Sequence, residues 1–332
     1  MSTNPTDLEP IEPREAQELF LDHKASQYSV KTVQAHRYRT KPFVEWCDLN
    51  DIDNMNALTG RSIQRYRLWR EDTGDLAKIT LNQQMSTIRV FLKWAGSIEA
   101  VAANLYDKVM VPRVTPAEER RDETLSSEPA SEILDHLSTF NYASLDHALF
   151  ALLWETGMRL GGANSLDLGD LHLEEEAIEI VHRPDQGTHL KNGANGERPV
   201  AITSNLAEVL SQYIENIRIE NTDDAGREPL FTSRYGRLSK TAMRRCVYRV
   251  TSPCFRGEPC PECAGTESEK CGEAVSPHAI RRGSITHALT KDVPVEVIGD
   301  RMNVSRDILD KHYDKRSEEV KLEQRRGYLE NL

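Results

Sequence analysis

The 332-residue sequence lacks any long apolar run. No stretch reaches the roughly 18 apolar residues of a transmembrane helix, which argues against a membrane protein. The first 14 residues are polar and acidic and lack the apolar segment of a secretory signal, so we expect a cytoplasmic protein in a reducing environment. A Gly-x4-Gly-Lys-Ser/Thr loop is also absent, so the sequence has no sign of an ATP site of that kind.

Lysine is scarce in this chain. It has 13 lysines against 29 arginines, and acidic residues outnumber basic ones for a net charge of −11. An acidic, lysine-poor composition resembles that of proteins from halophiles, in which salt screens the repulsion between carboxylates; an ordinary acidic protein is the alternative. The charge is uneven, however. Residues 1–113 carry 15 basic and 15 acidic side chains, and residues 231–257 carry seven basic and no acidic ones. The net charge therefore does not exclude nucleic-acid binding.

The N-terminal third of the sequence has the pattern of a helical domain. We predict a disordered stretch at residues 1–13 and helices across residues 14–112, with Thr59 and Thr80 as N-caps and Pro42 as a kink or break. The two capped helices have basic polar faces. A solvent-facing charged surface is one interpretation, and a DNA-binding surface, which we favour, is the other. The predicted DNA contacts in this domain are Arg61, Arg65, Arg89 and Lys93.

A linker is predicted at residues 113–124, where Pro112 and Pro116 precede a run of charged residues. Beyond it, residues 125–316 combine helical patterns with two short strands that flank a turn rich in Gly and Asn. Residues 317–332 form a charged tail with a helical pattern. The sequence thus predicts a mainly α fold with a small β-hairpin or sheet, of the α+β class, in two domains.

A group of polar residues in the second domain has the chemistry of a phosphate site. His278 and Arg281 are three residues apart in one predicted helix, so both face the same side and can bind one phosphate. Tyr313 offers a phenol that can attack phosphorus. Arg159 lies in a Thr-Gly-Met-Arg turn at a predicted helix start, and Lys191 lies beside the Gly/Asn-rich turn. An ion pair for Arg159 and plain hydration for Lys191 are the structural alternatives.

Together these segments resemble the tyrosine recombinase (phage integrase) family over residues 145–316, and residues 15–112 resemble the helical core-binding domain that precedes them in that family. The resemblance implies that Tyr313 is the nucleophile and that Arg159 and Arg281 clamp the non-bridging phosphate oxygens. It also implies that His278 assists proton transfer and that Lys191 protonates the leaving 5′ oxygen. No cofactor is then needed for catalysis, because cations stabilise the transition state and the covalent phosphotyrosine conserves the energy of the broken bond.

Two positions depart from the family pattern. The family usually has Leu-Gly-His shortly before the Tyr, and here Val304 occupies the position of that His with Asn303 beside it. Because Val cannot hydrogen-bond a phosphate, either Asn303 substitutes after a one-residue shift or the contact is absent. The family often has a Glu three residues after the first Arg, where this sequence has Gly162. Both departures bear on full activity and not on the fold.

Four of the six cysteines cluster within 18 residues, in an insertion at residues 254–271 just before His278. A Cys-x2-Cys pair with two more thiols nearby suits tetrahedral zinc, so we predict a structural zinc site. The alternative is a set of unligated or redox-linked thiols on a loop. The predicted ligands are Cys254, Cys260, Cys263 and Cys271.

The basic segment at residues 231–257 includes a predicted helix at residues 239–250. Cations four residues apart on this helix share a face, which indicates contacts to DNA phosphates and, in part, to a groove. The predicted contacts are Lys240, Arg244, Arg245 and Arg249.

The resemblance implies a site-specific DNA recombinase or integrase that works through a covalent 3′-phosphotyrosyl intermediate. Its implied partners are double-stranded DNA with paired recombination sites and three further copies of the chain, which form a tetramer on DNA. Accessory DNA-bending proteins are further candidate partners, and the nucleoid is the expected location. Two alternatives remain open: a type IB topoisomerase-like enzyme that relaxes DNA, and a catalytically weakened relative that only binds DNA.

Overall fold

The computed structural model describes residues 8–115, 118, 123–260, 271–291 and 293–313, together with the single positions 319, 322 and 326; the side chains of residues 310–312 are not described. The chain forms two compact units, Met1–Arg121 and Asp122–Leu332. Of the predicted linker at residues 113–124, positions 116, 117 and 119–122 lie outside the described residues, and so does most of the predicted tail at residues 317–332. No helix in the described part of the chain is long and apolar enough to span a membrane.

In its described part, the first unit is a bundle of four α-helices around an aromatic core. Phe20 packs edge-on against Phe91, and Phe43 packs edge-on against Tyr66, with ring centroids 5.2 and 5.1 Å apart. All four rings are fully buried. The helices are α1 (Pro13–Ala25), α2 (Val30–Leu49), α3 (Gly60–Thr73) and α4 (Lys78–Ser97).

Three predictions about this unit are corrected. The helix α4 begins at Lys78 after Ala77, so Thr80 lies in its first turn and is not its N-cap, whereas Thr59 does cap α3. The helix α2 continues through Pro42 to Leu49, so Pro42 does not break it. Disorder was predicted for residues 1–13, yet Glu9 donates its backbone N–H to Glu99, and the carbonyl of residue 11 accepts from residue 55. Residues 1–7 of that prediction lie outside the described residues.

The second unit is mainly helical with two small antiparallel sheets, as the sequence predicts. In the first sheet the strand order is β1-β2-β3, and Ile178 of β2 faces Val200 of β3. The second sheet is the pair β4-β5. The strands are β1 (Leu171–His172), β2 (Ala177–Ile180), β3 (Arg198–Ala201), β4 (Thr232–Ser233) and β5 (Gly236–Arg237).

The helices of the second unit pack around α6, which contacts α5, α8, α9 and α10. Nearly continuous burial along α6, including Leu149, Phe150 and Leu153, makes it the centre of the core. The described helices are α5 (Ser127–Phe140), α6 (Leu145–Thr156), α7 (Leu160–Ser165), α8 (Ser204–Asn216), α9 (Lys240–Thr251), α10 (Pro277–Thr290), α11 (Val295–Met302) and α12 (Arg306–His312).

Candidate active site

The helix α10 carries two of the predicted site residues, His278 and Arg281, in its first turns. Ser276 caps the helix by accepting a hydrogen bond from the N–H of residue 279, and Pro277 occupies the first helical position, where its missing N–H costs nothing. The cap and the proline fix where the helix begins. The positions of the His278 and Arg281 side chains on α10 are therefore fixed as well.

Arg281 is almost fully buried, with 1% of its surface exposed. Its Nη1 donates to the carbonyl of Gly157 at 2.6 Å and its Nη2 to the carbonyl of Asn303 at 3.4 Å. Its Nε has no hydrogen-bond partner among the described residues. Desolvation, followed by repulsion from Arg159, lowers the pKa of Arg281, and a hydrogen bond with the Tyr313 side chain opposes that shift. A buried cation with an unused donor is suited to an incoming anion.

Arg159 reaches the same place from a sharp turn. Gly157 ends α6 with a left-handed backbone (φ 57°), and a Cβ atom there would lie 2.7 Å from the Sδ of Met302, so glycine is required on both counts. The chain then turns so that Arg159 immediately precedes α7. Its Nη1 donates to the carbonyl of Asn303 at 3.2 Å. Both predicted clamp arginines therefore meet at one carbonyl oxygen.

Tyr313 lies directly after α12 and is 5% exposed. It packs in a small cluster with Ile285, Leu309 and Val304, among others, and its backbone carbonyl accepts a hydrogen bond from Thr286. Its ring centroid lies 6.4 Å from that of the His278 imidazole. Packing against α10 thus brings the phenol to His278 and Arg281.

His278 retains an exposed surface at this site. Partial desolvation of the imidazole, and then repulsion from Arg282, Arg281, Arg159 and Lys191, lowers its pKa to about 4. The imidazole is therefore neutral near pH 7. In that state it can accept a proton.

Lys191 is exposed on the connection between β2 and β3, residues 181–197, which is much longer than a tight hairpin turn. Its charge contributes to the lowered pKa of His278, so it belongs to the same electrostatic environment. The side chain of Asn303 fastens this connection to the turn after α11. Asn192 Nδ2 donates to Asn303 Oδ1 at 2.8 Å, and Asn303 Nδ2 donates to the carbonyl of Asn195 at 3.0 Å.

The departure noted at Asn303-Val304 has a structural explanation. Val304 is 7% exposed and packs in the apolar cluster around Tyr313, so it does not face the site. Asn303 adopts a left-handed backbone (φ 48°), which Asn tolerates better than most residues. Its carbonyl faces Arg159 and Arg281, and its amide faces the Lys191 connection. Gly162 lies in α7, where a Cβ atom would meet only Met158, at 3.7 Å.

Two further arginines were missed by the sequence analysis. Arg198 begins β3, donates from Nε to the carbonyl of Arg301 at 2.7 Å, and from Nη1 to the carbonyl of Gly196 at 2.8 Å. Desolvation, followed by repulsion from Arg281, Arg159 and Arg301, lowers its pKa to about 10. Desolvation also lowers the pKa of Arg301, opposed by Glu155. An Arg at a strand start is a weak signal, because nothing local shows that four guanidinium groups will converge.

The site is therefore strongly cationic within an acidic chain. Arg159, Arg198 and Arg281 donate to backbone carbonyls, and none of them forms an ion pair with a carboxylate in the described part of the chain. Burying several like charges without counter-ions is unfavourable until an anion enters. The arrangement can bind and polarise a phosphodiester next to a buried phenol.

The predicted DNA contacts on α9 divide into two groups. Arg244 and Arg245 are exposed, and the Nζ of Lys240 lies near Gly161, beside the Arg159 turn. Arg249 differs from the prediction because it forms a bidentate ion pair with Asp146, with Nη2 to Oδ1 at 2.6 Å. Its charge is already balanced within the protein.

In the first unit, Arg61 and Arg65 are exposed on one face of α3. Arg89 donates to the carbonyl of Val109, and Lys93 lies over the Tyr106 ring, 5.7 Å from its centroid. All four predicted residues are at the surface of this unit.

The predicted metal ligands Cys254, Cys260 and Cys271 lie together, with their three Sγ atoms within 4.8 Å of one another. Cys263, the fourth predicted ligand, lies outside the described residues. The zinc site stays a prediction at this point.

Residues 123–318 match the phage integrase family, and residues 18–97 match the N-terminal SAM-like domain of phage integrases. The tyrosine recombinase XerD of Staphylococcus saprophyticus is 23% identical over 281 residues, which cover 83% of this chain and 85% of the relative. The tyrosine recombinase XerC of Corynebacterium glutamicum is 23% identical over 259 residues, 76% of this chain and 71% of the relative.

Solved structures with the same fold are distant in sequence. The Tn1549 transposon integrase in complex with a circular intermediate DNA has a TM-score of 0.68 at 14% identity, covering 97% of this chain and 100% of that one. A lambda integrase dimer bound to a core site has a TM-score of 0.65 at 14% identity, covering 94% and 80%. These likenesses establish the fold, and the family match covers more than half of the sequence. The chain therefore belongs to the phage integrase family, the tyrosine recombinases.

Proposed function

We propose that this chain is a site-specific DNA recombinase that cleaves and rejoins DNA through a covalent 3′-phosphotyrosyl intermediate at Tyr313. Its family supports this, and so do relatives that are named tyrosine recombinases. The observation that carries the proposal is the position of Tyr313 beside a buried arginine with an unused donor. The phenol and the arginine proposed to clamp its target phosphate would then act on the same group.

The proposed step forms one bond and breaks one. The phenol oxygen of Tyr313 bonds to phosphorus while the bond from phosphorus to the 5′ oxygen breaks. The phenol proton passes to His278, and Lys191 supplies a proton to the 5′ oxygen, which leaves as a hydroxyl. Attack of a 5′ hydroxyl from a second strand on the phosphotyrosine reverses these changes and rejoins the DNA, so no ATP is consumed.

The cations supply the electrostatic part of the catalysis. Arg159 and Arg281 now donate to the carbonyl of Asn303, and in the complex they would turn their donors to the two non-bridging oxygens. Charge that builds on those oxygens is then stabilised by groups already in place, which lowers the barrier most effectively in a site that excludes water. Arg198 adds a third positive charge close enough to interact with those of Arg159 and Arg281.

The proposed substrate is double-stranded DNA with two paired sites, and we place the reaction in a tetramer of this chain on the chromosome, in the cytoplasm. Exposed cations on α3 and α9 would bind the backbone phosphates. The DNA-bound states of the Tn1549 and lambda integrases support the partner. The binding-only alternative is less favoured, because the similar relatives are named tyrosine recombinases and the arginines lie beside Tyr313 even though Val304 cannot bind a phosphate.

A nicked suicide duplex tests the proposal. The duplex carries inverted repeats taken from DNA that flanks the gene, with a nick that lets the short fragment bearing the freed 5′ hydroxyl diffuse away after cleavage. The wild-type chain should form an adduct that survives denaturation. Tyr313→Phe should form none, and Arg281→Ala should form it about 10²–10³ times more slowly.

A suitable control is Tyr142→Phe, which changes an exposed tyrosine outside the site. It should form the adduct at the wild-type rate. If Tyr313→Phe formed the same adduct, the assignment of the nucleophile would be wrong. Relaxation of supercoils without any exchange of strands between two sites would instead point to a topoisomerase.

A further inference from the structure

The thiol cluster lies outside the residues used in the proposed reaction. The Sγ atoms of Cys254, Cys260 and Cys271 are mutually within 4.8 Å, and the Cys260–Cys271 pair is 3.5 Å apart. For tetrahedral zinc with Zn–S bonds of about 2.3 Å, the ligand sulfurs are about 3.8 Å apart. The three sulfurs therefore have the spacing of ligands to one ion.

The backbone around these thiols is fixed at both ends. Cys254 lies in a short helical turn directly after α9, where its carbonyl accepts from the N–H of Gly257 at 3.1 Å. On the other side, the carbonyl of Cys271 accepts from residue 274, and the N–H of Val275 donates to Thr251 Oγ1 at 3.1 Å. Thr251 is the last residue of α9, so both ends of the insertion return to the same helix end.

The remaining described cysteines have a different environment. Burial raises the pKa of the Cys47 thiol to about 12 and that of the Cys246 thiol to about 11. Both stay protonated and pack as small apolar side chains. Cys254 and Cys260 are only half-buried, so an ion can reach them, whereas the Cys271 side chain is buried.

We propose that Cys254, Cys260 and Cys271 bind a structural zinc ion. Each thiol releases its proton to solvent when it binds. Thiolate sulfur favours zinc over the oxygen-seeking divalent ions. The ion would hold the end of α9 next to the segment that leads into α10. It would thereby fix the positions of Arg244 and Arg245 relative to His278 and Arg281. The existence of this site does not depend on the proposed recombination.

Metal analysis of the full chain tests the proposal. Protein purified without chelators should contain one zinc ion per chain, released when the thiols are titrated with a mercurial. Cys254→Ser and Cys271→Ser should lose the zinc. Cys246→Ser is the matched control, because it removes a thiol of α9 outside the cluster, and it should keep the zinc.

A wild-type measurement covers the case in which the variants do not fold. The metal is first removed from the wild-type chain under reducing, anaerobic conditions, and the chain is then titrated with Co²⁺. The absorption spectrum should develop thiolate-to-metal charge-transfer bands and the intense d–d bands of a tetrahedral site. The titration should end at one ion per chain. Zinc should then displace the cobalt. Absence of these bands, or a zinc content in Cys271→Ser equal to that of the wild type, would overturn the proposal.

Discussion

Asn303 links residues that no local spacing relates. Its carbonyl accepts from Arg159, 144 positions earlier, and from Arg281, 22 positions earlier, while its side chain bonds the connection that carries Lys191. The sequence suggested Asn303 as a substitute for the family His. It did not reveal that the backbone oxygen would meet the arginines, because that depends on a left-handed φ at one residue.

Replacing Asn303 with Gly should slow cleavage by about 10-fold to 100-fold while DNA affinity stays unchanged, because a poorly held Lys191 protonates the leaving oxygen less well. Glycine keeps the left-handed backbone and removes only the side-chain bonds. Single-turnover cleavage rates measure the effect. Asn195→Ala is the control, since Asn195 contributes its backbone carbonyl.

A DNA substrate with a 5′ bridging sulfur separates this explanation from a general loss of structure. Sulfur leaves without protonation, so the defect of Asn303→Gly should disappear on that substrate. A defect of equal size on both substrates would show that Asn303 does not act through Lys191.

His278 should give DNA binding a pH dependence. Its pKa is about 4 in the unbound protein, and a bound phosphate would raise it, so binding takes up a proton at acid pH. Affinity should therefore rise as the pH falls toward about 4, the pKa of His278 in the unbound protein, and the rise should be absent in His278→Gln. Binding isotherms at constant ionic strength measure it. Equal pH slopes for the two proteins would contradict the expectation.

The same shift has a consequence for stability, with a definite sign. The pKa of His278 in the folded chain lies below its ordinary value of 6.5, so the unfolded chain takes up the proton more readily. The contribution of His278 to the free energy of unfolding is therefore fully present above about pH 6.5, and it is lost as the pH falls toward 4.

At the scale of elements, helix ends with local caps were predictable. The helix predicted to carry both His278 and Arg281 is observed as α10, and Ser276 and Pro277 mark its start. The sequence also indicated the positions of β2 and β3. It missed the start of α4, which begins at Lys78, two residues before Thr80. It also missed the length of the β2–β3 connection, which is held by ion pairs such as Arg183–Asp170 between residues distant in sequence.

The segment before α5 packs closely against α10, and this packing requires a glycine at position 283. A Cβ atom on Gly283 would lie 1.7 Å from the carbonyl oxygen of Leu125 and 3.0 Å from Cζ3 of Trp154. Because backbone cannot yield as a flexible side chain does, Gly283→Ala should lower the free energy of unfolding by at least about 1–3 kcal/mol. Urea denaturation measures the change.

Gly169→Ala is the control for that experiment, because nothing lies within 4 Å of the added Cβ. Its unfolding midpoint should match that of the wild type or exceed it slightly. Equal midpoints for the Gly283 and Gly169 variants would show that α10 and the preceding segment are not packed as described.

At the scale of the whole molecule, net charge is a poor guide to the partner. The chain carries −11, yet its candidate site collects Arg159, Arg198, Arg281 and Arg301. The local electrostatic field, and not the net charge of the chain, determines where an anion binds. The uneven distribution was visible in the sequence, but the convergence of these arginines required the fold. Adaptation to high internal salt stays a prediction.

Exposed cations on α9 should control the salt dependence of DNA binding. If Arg244 and Arg245 each contact one phosphate, changing both to Ala should reduce the slope of log Kd against log salt by up to about 1.8. The control is the double change Asp146→Asn and Arg249→Gln, which removes a bidentate ion pair without leaving a charge unmatched. Its slope should equal the wild-type slope. An unchanged slope in the Arg244 and Arg245 variant would remove α9 from the DNA-binding surface.

The most direct test of the proposed chemistry is the site of covalent attachment. The wild-type chain is trapped on a nicked duplex and digested with protease and nuclease, and the peptides are sequenced by mass spectrometry. The account predicts a nucleotide linked through its 3′ phosphate to the phenolic oxygen of Tyr313. A nucleotide on any other residue, or no adduct on DNA that the chain binds specifically, would contradict it.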